Sequence, residues 1–322
     1  MTAHTTRDTT HVLQPLLDAI AAMAKPVDAQ RIFHGRGGLH PGCEHLALDA
    51  YPPVFLLTAF APISDEALAQ VHDALAARWA ELAPGEPLNA VLQRRDGQRT
   101  ETRLMAGTVP EPHVVEEDGA RSRVHLLQDQ NHGLFLDMAE GRRWVRSQAA
   151  GQKVLNLFAY TCAFSIAALQ GGAKQVVNLD MSASAIARGQ HNHALNALSG
   201  AGFLAHDLFK TWGKITRAGP YHLILVDPPS FQKGSFVATQ DYLRLMRRLP
   251  DLLRPGGRVM LCLNAPELDT AFLRERMQAA APELVFEQRL PNPAAFADAS
   301  PERSLKVLLY RAPDLPPRAA SV

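Results

Sequence analysis

Hydrophobic and polar positions alternate in two different ways along the first part of the chain. Residues 11–24 and 65–82 carry apolar side chains at helical intervals, and the stretch between them ends in the β-like run VFLLTAF. Shorter segments with the spacing of strands then follow: NAVLQRR, ETRLMAG, PHVVEED, RVHLLQD and GLFLD. This pattern predicts a small α+β domain over residues 1–135, with residues 1–10 disordered.

The rest of the chain alternates regularly between apolar strands and helices. A helix is predicted over MAEGRRWVRSQAA, and the predicted strands are VLNLF, QVVNLD, GFLAHD, YHLILVD, GRVMLCLN, LVFEQRL and SLKVLLYRA. Buried strands separated by helices are typical of βαβ units and a parallel sheet. We therefore expect residues 136–313 to form a doubly wound, mostly parallel α/β sheet of the Rossmann-like kind, followed by a flexible tail over residues 314–322.

Composition narrows the class of protein. The chain has 322 residues, 47% hydrophobic and 20% charged, and a net charge of +1, which is ordinary for a globular enzyme of two domains. Its three cysteines lie far apart, so neither a disulfide framework nor a metal site is expected. No leader is recognisable, and no apolar run approaches the ~20 residues that cross a bilayer. We expect a cytoplasmic protein without membrane contact, and its oligomeric state stays open.

The turn after the first strand of the predicted parallel sheet bears on the cofactor. It reads NLFAYTCAF over residues 156–164 and contains neither GxGxxG nor GxxxxGK[ST], which disfavours a ligand bound through its phosphates. Asp180 ends the second strand, where a carboxylate can accept both ribose hydroxyls of an adenosyl group. Asp207 ends the third strand, near the expected adenine edge. This combination predicts an adenosine cofactor without phosphate, of which S-adenosylmethionine (SAM) is the commonest; alternatively, both aspartates only cap the following helices.

The fourth strand is followed by a rigid polar loop. YHLILVDPPSF places Asp227, Pro228, Pro229 and Phe231 directly after a buried strand, and the two prolines fix the loop. Asp227 and the Pro228 carbonyl would accept N–H groups of a methyl acceptor, and Phe231 offers a face on which a planar base could stack. A turn that merely ends the strand is the alternative interpretation.

Taken in order, these motifs resemble a known family. GLFLD followed by Arg142 or Arg143, then VLNLFAYT, GGA, LDMS, HALN and LVDPPSF are similar to bacterial SAM-dependent methyltransferases that modify large-subunit ribosomal RNA. Branches of that family make 5-methylcytosine and 7-methylguanine, and the resemblance covers about residues 124–312. It implies substrate-side roles for the Asp227-Pro-Pro-Ser-Phe loop and SAM contacts from Phe158, Tyr160, Thr161, Asp180, Met181 and Asp207. To these candidate cofactor contacts we add Asn156 and Asp227.

The chain departs from the family pattern at two places. Relatives carry a glycine after Tyr-Thr, where this chain has Cys162, which is also small. The cytosine branch carries a Ser-Cys-Ser motif after the fifth strand, where this chain reads LCLNAPEL. Cys262 lies within the apolar strand and is expected to be a buried structural thiol, with Asn264 at the strand end. Because methylation at carbon 5 of a pyrimidine normally needs a cysteine nucleophile, we predict transfer to a nitrogen atom instead. The resemblance to the 7-methylguanine branch implies that this nitrogen belongs to guanine.

Two features of the first part of the chain bear on the expected RNA partner. The HGRGG motif (His34 to Gly38) could bring its backbone and Arg36 to a phosphate, or it could be an ordinary turn-rich loop. Arginines are frequent over residues 94–146 and form either a phosphate-binding track or a solvated face. The family's amino-terminal RNA-binding domain is not recognisable in residues 1–80. A methyltransferase of small molecules or proteins, and a non-catalytic RNA-binding or assembly protein with this fold, therefore remain alternatives.

Overall fold

The computed structural model describes residues 10–96, 100–128, 130–232 and 236–314. The chain divides into two compact units: unit 1 is Met1–Leu136 with Pro293–Ser300, and unit 2 is Asp137–Asn292 with Pro301–Val322. The expected disorder of residues 1–10 and the expected tail over 314–322 fall outside the described residues, apart from one residue of each stretch.

One segment departs from the predicted domain boundary. That boundary assigned residues 293–300 to the second domain, whereas the structure groups them with unit 1. The physical reason is a set of contacts with the HGRGG segment: the Ala299 N–H donates to the Gly37 carbonyl at 2.7 Å, and the Phe296 and His34 rings lie 5.2 Å apart. A short loop late in the sequence thus completes the first unit.

Unit 1 is built on a five-stranded sheet. Its elements are α1 (Thr10–Ala22), β1 (Gln30–His34), β2 (Leu46–Tyr51), β3 (Val54–Ala59), α2 (Asp65–Leu82), β4 (Asn89–Arg94), β5 (Glu101–Ala106), β6 (His113–Glu117) and β7 (Ala120–Val124). The strand order is β1-β2-β3-β4-β5, with β3 and β4 parallel and the other pairs antiparallel, while β6 and β7 form a separate hairpin. Leu16, Ile20, Val71 and Leu75 of the two helices belong to its fully buried core.

The sequence pattern misses parts of unit 1. Strands β1 and β2 were not predicted, because their short apolar runs flank the glycine- and proline-rich stretch over residues 35–45. The predicted strand RVHLLQD is wrong in position, since β7 begins at Ala120 and ends at Val124. GLFLD is not a strand either; it leads into a 3₁₀ turn over Leu136–Met138 that starts the next helix.

Unit 2 carries the larger sheet. Its elements are α3 (Ala139–Gln148), β8 (Lys153–Leu157), α4 (Ala163–Gln170), β9 (Gln175–Asp180), α5 (Ala183–Leu195), β10 (Ala201–Ala205), α6 (Trp212–Ala218), β11 (Tyr221–Val226), β12 (Phe231–Gln232), β13 (Phe236–Val237), α7 (Ala238–Met246), α8 (Leu249–Leu252), β14 (Leu253–Leu263), α9 (Thr270–Ala280), β15 (Val285–Leu290) and β16 (Lys306–Arg311). The order of the seven-stranded sheet is β10-β9-β8-β11-β14-β16-β15, and β16 runs antiparallel to both neighbours. The predicted doubly wound, mostly parallel α/β fold is confirmed.

Both faces of this sheet are covered. Along β11, Leu223 and Leu225 enter one buried cluster, and Ile224 and Val226 enter the other. Strands buried on both faces explain why their sequences read as continuous apolar runs. Within the described part of the chain, every helix is too short or too polar to cross a membrane.

Candidate active site

The strand order of unit 2 locates its ligand crevice. The chain runs outward from β8 through β9 to β10, and then returns to the other side of β8 to form β11. Helices that follow β8 and β11 consequently leave the sheet in different directions, and a crevice opens beyond the carboxyl ends of these strands. The predicted site residues at the ends of the first four strands of this sheet lie at this edge.

The loop after β8 has an unusual backbone. Phe158, Tyr160 and Cys162 have φ values of 56°, 47° and 64°, a region that residues other than glycine seldom adopt. Each such residue costs about 1–3 kcal/mol, and strain of this kind persists where the surroundings enforce it, commonly at functional sites. The loop is held by hydrogen bonds from Ala159 N–H to the Leu179 carbonyl at 3.0 Å and from Cys162 N–H to the Ala159 carbonyl at 2.7 Å.

Asp180 connects this loop to the second strand. Its Oδ2 accepts the Tyr160 N–H at 2.9 Å and its Oδ1 accepts the Ser182 N–H at 2.8 Å. A carboxylate has about four acceptor positions, so each oxygen can still accept a ribose hydroxyl. The neighbouring Met181 is 47% exposed. The chemistry of this edge, an acceptor carboxylate with no glycine-rich phosphate loop, fits an adenosyl ligand that lacks phosphate.

Asp207 has a structural partner. Its Oδ1 accepts the Phe209 N–H at 2.9 Å, which caps the 3₁₀ turn Leu208–Lys210, and its Oδ2 lies 3.5 Å from Lys210 Nζ. The capping role that the sequence left as an alternative is therefore present. The side chain is still 37% exposed, so it retains surface for a ligand contact.

Two predicted cofactor residues are almost fully buried. Asn156 and Thr161 are each 1% exposed. The Asn156 side-chain amide donates to Asn178 Oδ1 at 2.9 Å, and Asn178 donates to Ser165 Oγ at 3.0 Å. Asn156 thus connects β8 to β9, and its hydrogen bond to Asn178 is structural.

The sequence analysis missed this buried polar network. Ser165 Oγ also lies 2.9 Å from His193 Nε2, and His193 Nδ1 lies 2.7 Å from the Gly189 carbonyl. Burial lowers the pKa of His193, so its imidazole is neutral. The signal available in the sequence was one asparagine in the middle of each of two otherwise apolar strands. Since buried polar groups need partners, such asparagines indicate a network beneath the loop.

Asp227 follows β11 and has a perturbed acidity. Its surroundings desolvate the carboxylate, which together with the nearby charge of Asp137 raises its pKa to about 7, against the opposing effect of Arg142. Arg142 lies in α3 and is 6% exposed. Asp137 and Arg142 belong to the GLFLD…R motif, yet their proximity to Asp227 was not predicted, because about ninety residues separate them along the chain.

The rest of the Asp227 loop is fixed by local contacts. Pro228 is buried, and Ser230 Oγ donates to the Asn264 carbonyl. The Ala238 N–H donates to the Ser230 carbonyl at 3.0 Å, and β12 pairs with β13. The side chain of Phe231 lies outside the described residues.

Aromatic rings link the first turn to the segment after the Asp227 loop. The Phe158 ring meets Phe236 edge to face at 5.2 Å, and Phe236 meets Tyr242 in the same way at 5.1 Å. The structure thereby brings the loops that follow β8 and β11 into contact. Such pairs contribute about 0.5–1.5 kcal/mol beyond their buried area.

Cys262 lies next to this loop but is buried. Val226 pairs with Leu261, so Asp227 and Cys262 are level on neighbouring strands. Cys262 is fully buried, and burial together with the charges of Asp227 and Asp137 raises the pKa of its thiol well above the ordinary value. This surrounding opposes formation of a thiolate. Within the described ranges, no three histidine, cysteine, aspartate or glutamate side chains are grouped so that they could hold a metal ion.

Comparisons with known proteins agree with this geometry. A family model described as S-adenosylmethionine-dependent methyltransferase matches residues 30–311. Ribosomal RNA large subunit methyltransferase I of Aeromonas salmonicida (strain A449) is 31% identical over 250 residues, which are 74% of this chain and 62% of that protein. Ribosomal RNA large subunit methyltransferase K/L of Psychrobacter sp. (strain PRwf-1) is 36% identical over 180 residues, 53% of this chain and 22% of that protein. The match thus spans less than two thirds of either relative.

A solved structure shares the fold. SMU.776, described as a methyltransferase and crystallised with SAH, matches with a TM-score of 0.80 and 24% identity, over 96% of this chain and 83% of that one. The family match covers most of the chain, and the strand order and crevice of unit 2 suit the ligand that the family binds. The chain therefore belongs to the S-adenosylmethionine-dependent methyltransferase family, and its cofactor is S-adenosylmethionine.

Proposed function

We propose that this protein methylates a base of ribosomal RNA at a nitrogen atom of guanine. The observation that carries the proposal is the rigid Asp227-Pro228-Pro229 loop at the crevice of a SAM-dependent methyltransferase fold, with a carboxylate whose pKa is raised to about 7. The relatives named above are ribosomal RNA methyltransferases, which favours RNA over the small-molecule or protein alternative. Because the chain spans only part of those relatives, the substrate remains part of the proposal.

The strand ends of unit 2 would hold the cofactor. Asp180 accepts the ribose hydroxyls, and the strained backbone around Phe158 and Tyr160 shapes the adjoining wall. Thr161, Met181 and Asp207 complete the proposed contacts, while Asn156 acts through Asn178 to keep the two strands in register. When bound, the cofactor supplies an electrophilic methyl group.

Asp227 would orient the acceptor and receive a proton. In its ionised form the carboxylate accepts an N–H of an exocyclic amine, as the Pro228 carbonyl also can, and so directs the nitrogen lone pair at the methyl group. As the N–C bond forms and the C–S bond breaks, the nitrogen becomes acidic, and Asp227 can take its proton. A ring nitrogen with a free lone pair needs only the positioning. Phe231 is proposed to stack on the base.

The burial of Cys262 supports a nitrogen acceptor. Methylation of cytosine at carbon 5 needs a thiolate that adds to carbon 6 first. The Cys262 thiol is fully buried, and its pKa is raised by burial and by neighbouring carboxylates. These surroundings favour the protonated thiol, which is a poor nucleophile.

We further propose a division of labour between the two units. Unit 1, with its glycine-rich loop and arginines, binds the RNA, and unit 2 carries the transfer. The protein would act in the cytoplasm, where ribosomes are assembled.

The test measures methyl transfer directly. Purified protein, labelled SAM and ribosomal RNA from a strain lacking the gene are incubated, and nucleosides are then separated and identified by mass spectrometry. Protein and small-molecule fractions of the same strain run in parallel. We expect label in one modified guanine, its loss in Asp227→Ala, and its retention in Asp251→Asn, which removes an exposed carboxylate of the same unit.

Other outcomes would contradict parts of the proposal. Label in 5-methylcytosine would refute the interpretation of Cys262 as a buried structural thiol. Label only in a protein or small-molecule fraction would refute the RNA substrate. A SAM-binding protein that labels no fraction, and whose Asp227→Ala variant still restores ribosome assembly in the strain, would be a non-catalytic assembly factor.

A further inference from the structure

Three strand ends meet at one edge of the unit 1 sheet. Strands β1, β3 and β4 run in the same direction, because β2 is antiparallel to both β1 and β3, and β4 is parallel to β3. The residues that follow these strands are therefore neighbours: the HGRGG segment after β1, Phe60 after β3 and Arg95 after β4. Strands β3 and β4 end at the same level, since their last residues, Ala59 and Arg94, pair with each other.

The glycines of the HGRGG segment fix its position. A Cβ on Gly35 would lie 1.8 Å from the Cys43 carbonyl oxygen, and one on Gly37 would lie 2.1 Å from the Ala297 carbonyl oxygen. Only glycine permits this approach of backbone to backbone. The segment is thus packed on both sides, and Arg36, which lies between the two glycines, projects from a rigid base.

Two guanidinium groups share one aromatic ring. The Arg36 guanidinium lies 4.0 Å from the centre of the Phe60 ring, and that of Arg95 lies 5.7 Å from the same centre. Arg95 is also fixed by Gln93, whose Oε1 accepts its Nε–H at 2.5 Å. Stacking on Phe60 holds both cations in place without neutralising them.

The positive charge of this cluster is balanced only in part, because the charge of Asp49 acts on Arg95 without forming an ion pair with it. Asp49 is engaged by Arg31, whose Nε and NH2 donate to its two oxygens at 2.7 and 3.0 Å. Among the described residues, no carboxylate lies within ion-pair distance of Arg36 or Arg95. His34 adds no charge, since burial and the adjacent Arg31 lower its pKa to about 4.

We propose that Arg36 and Arg95, mounted on Phe60 at this edge of unit 1, bind the phosphate backbone of RNA. The inference rests on the proposed RNA substrate and assigns part of its binding to a defined site. Guanidinium groups match phosphate oxygens through paired N–H donors, and the free face of a stacked guanidinium can carry a base. An acidic protein segment would find the same charge, so the test includes one.

The test compares the salt dependence of RNA binding between variants. Binding of a fluorescein-labelled single-stranded RNA of mixed sequence is followed by anisotropy over a series of KCl concentrations. Each lost phosphate contact lowers the slope of log K against log salt by about 0.7. We expect this decrease for Arg36→Ala and for Arg95→Ala, twice that decrease in the double variant, and an affinity loss of roughly tenfold per residue.

Two control variants test whether the change in salt slope comes from the cations at this site, and not from misfolding or from a change in net charge. Arg36→Lys keeps the cation, so its salt slope should equal that of the wild type. Arg217→Ala removes an exposed arginine in the last turn of α6, in unit 2, and should leave both slope and affinity unchanged. Thermal unfolding and SAH binding of all variants should match the wild type.

The outcomes distinguish the two proposals. If the wild type methylates ribosomal RNA but the double variant keeps the full salt slope, this site is refuted and the proposed function stands. If the wild type neither binds nor methylates RNA, both are refuted. If the double variant loses binding to labelled polyglutamate but keeps its RNA slope, the cluster serves an acidic protein and the RNA site is refuted.

Discussion

The two units use the carboxyl ends of their co-directional strands for opposite kinds of side chain. In unit 2 these ends carry the carboxylates Asp180, Asp207 and Asp227, whereas in unit 1 they carry the guanidinium groups of Arg36 and Arg95. Carboxylates accept hydrogen bonds from hydroxyl and amino groups, and guanidinium groups donate them to phosphate oxygens. The same arrangement of strands can thus present acceptors for a nucleoside in one unit and donors for a phosphate backbone in the other.

The two edges are also made rigid in different ways. The loop after β8 keeps non-glycine residues at positive φ, held by Asp180, and packs so closely that a Cβ on Gly189 would lie 2.4 Å from Cys162 Sγ. The HGRGG segment uses glycines for close backbone packing and an aromatic ring as a platform. A strained backbone holds the atoms that contact a ligand in fixed positions. Stacked arginines, in contrast, tolerate a variable partner such as a phosphate backbone.

The largest effect is expected from removal of the Asp227 carboxylate. Asp227→Ala should lower the single-turnover rate of methyl transfer about 10²-fold or more, because both orientation and proton acceptance are lost. SAH binding measured by calorimetry should stay within about twofold of wild type if Asp227 acts mainly on the acceptor. If this variant kept the normal rate, Asp227 would have no part in the reaction. The carboxylates at the strand ends of unit 2 would then serve only to bind the cofactor.

A smaller effect is expected at Asp180. Asp180→Ala removes the proposed acceptor of the ribose hydroxyls and the anchor of the Tyr160 N–H, so SAH affinity should fall about 10- to 100-fold. The salt slope of RNA binding should not change, since RNA binding is proposed for the guanidinium edge of unit 1. The reverse pattern is expected for Arg36→Ala. If either variant altered both SAH affinity and the salt slope of RNA binding, the two edges would not have separate roles.

The pH dependence tests the electrostatics of the Asp227 loop. The pKa of Asp227 is raised to about 7, so the carboxylate proposed to accept the proton becomes the major form only above that pH. The transfer rate should rise about tenfold per pH unit below 7 and level off above it. In Arg142→Gln, loss of the opposing positive charge should move the midpoint to higher pH. If the midpoint did not move, Arg142 would have no influence on the pKa of Asp227.

The smallest effect is expected at Cys262. Cys262→Ala should leave the methylation rate within about twofold of wild type and lower the free energy of unfolding by about 1–2 kcal/mol, because a buried side chain is truncated. Denaturant unfolding and the labelled-SAM assay measure the two quantities. Complete loss of activity with retained folding would instead identify a nucleophile and a pyrimidine carbon as acceptor.

Much of unit 2 could be predicted because its signals are local. Apolar runs of strand length, Ser182 as the cap of α5, and the prolines after Asp227 each act within a few residues, and the structure has the elements where the sequence places them. In unit 1, β1 is held by pairing with β2, and β2 by pairing with β3 as well, which local patterning does not register.

The amino-acid sequence by itself determined the alternation of strands and helices in unit 2, the acids at its strand ends and the family resemblance, since these depend on residue order and local preference. Only the tertiary structure decided which distant side chains meet. It brought residues 293–300 to the HGRGG segment, Asp137 and Arg142 to Asp227, and two arginines to Phe60. These contacts join residues far apart in the chain, and their burial and charge shift the acidity of Asp227 and leave the arginine cluster positive.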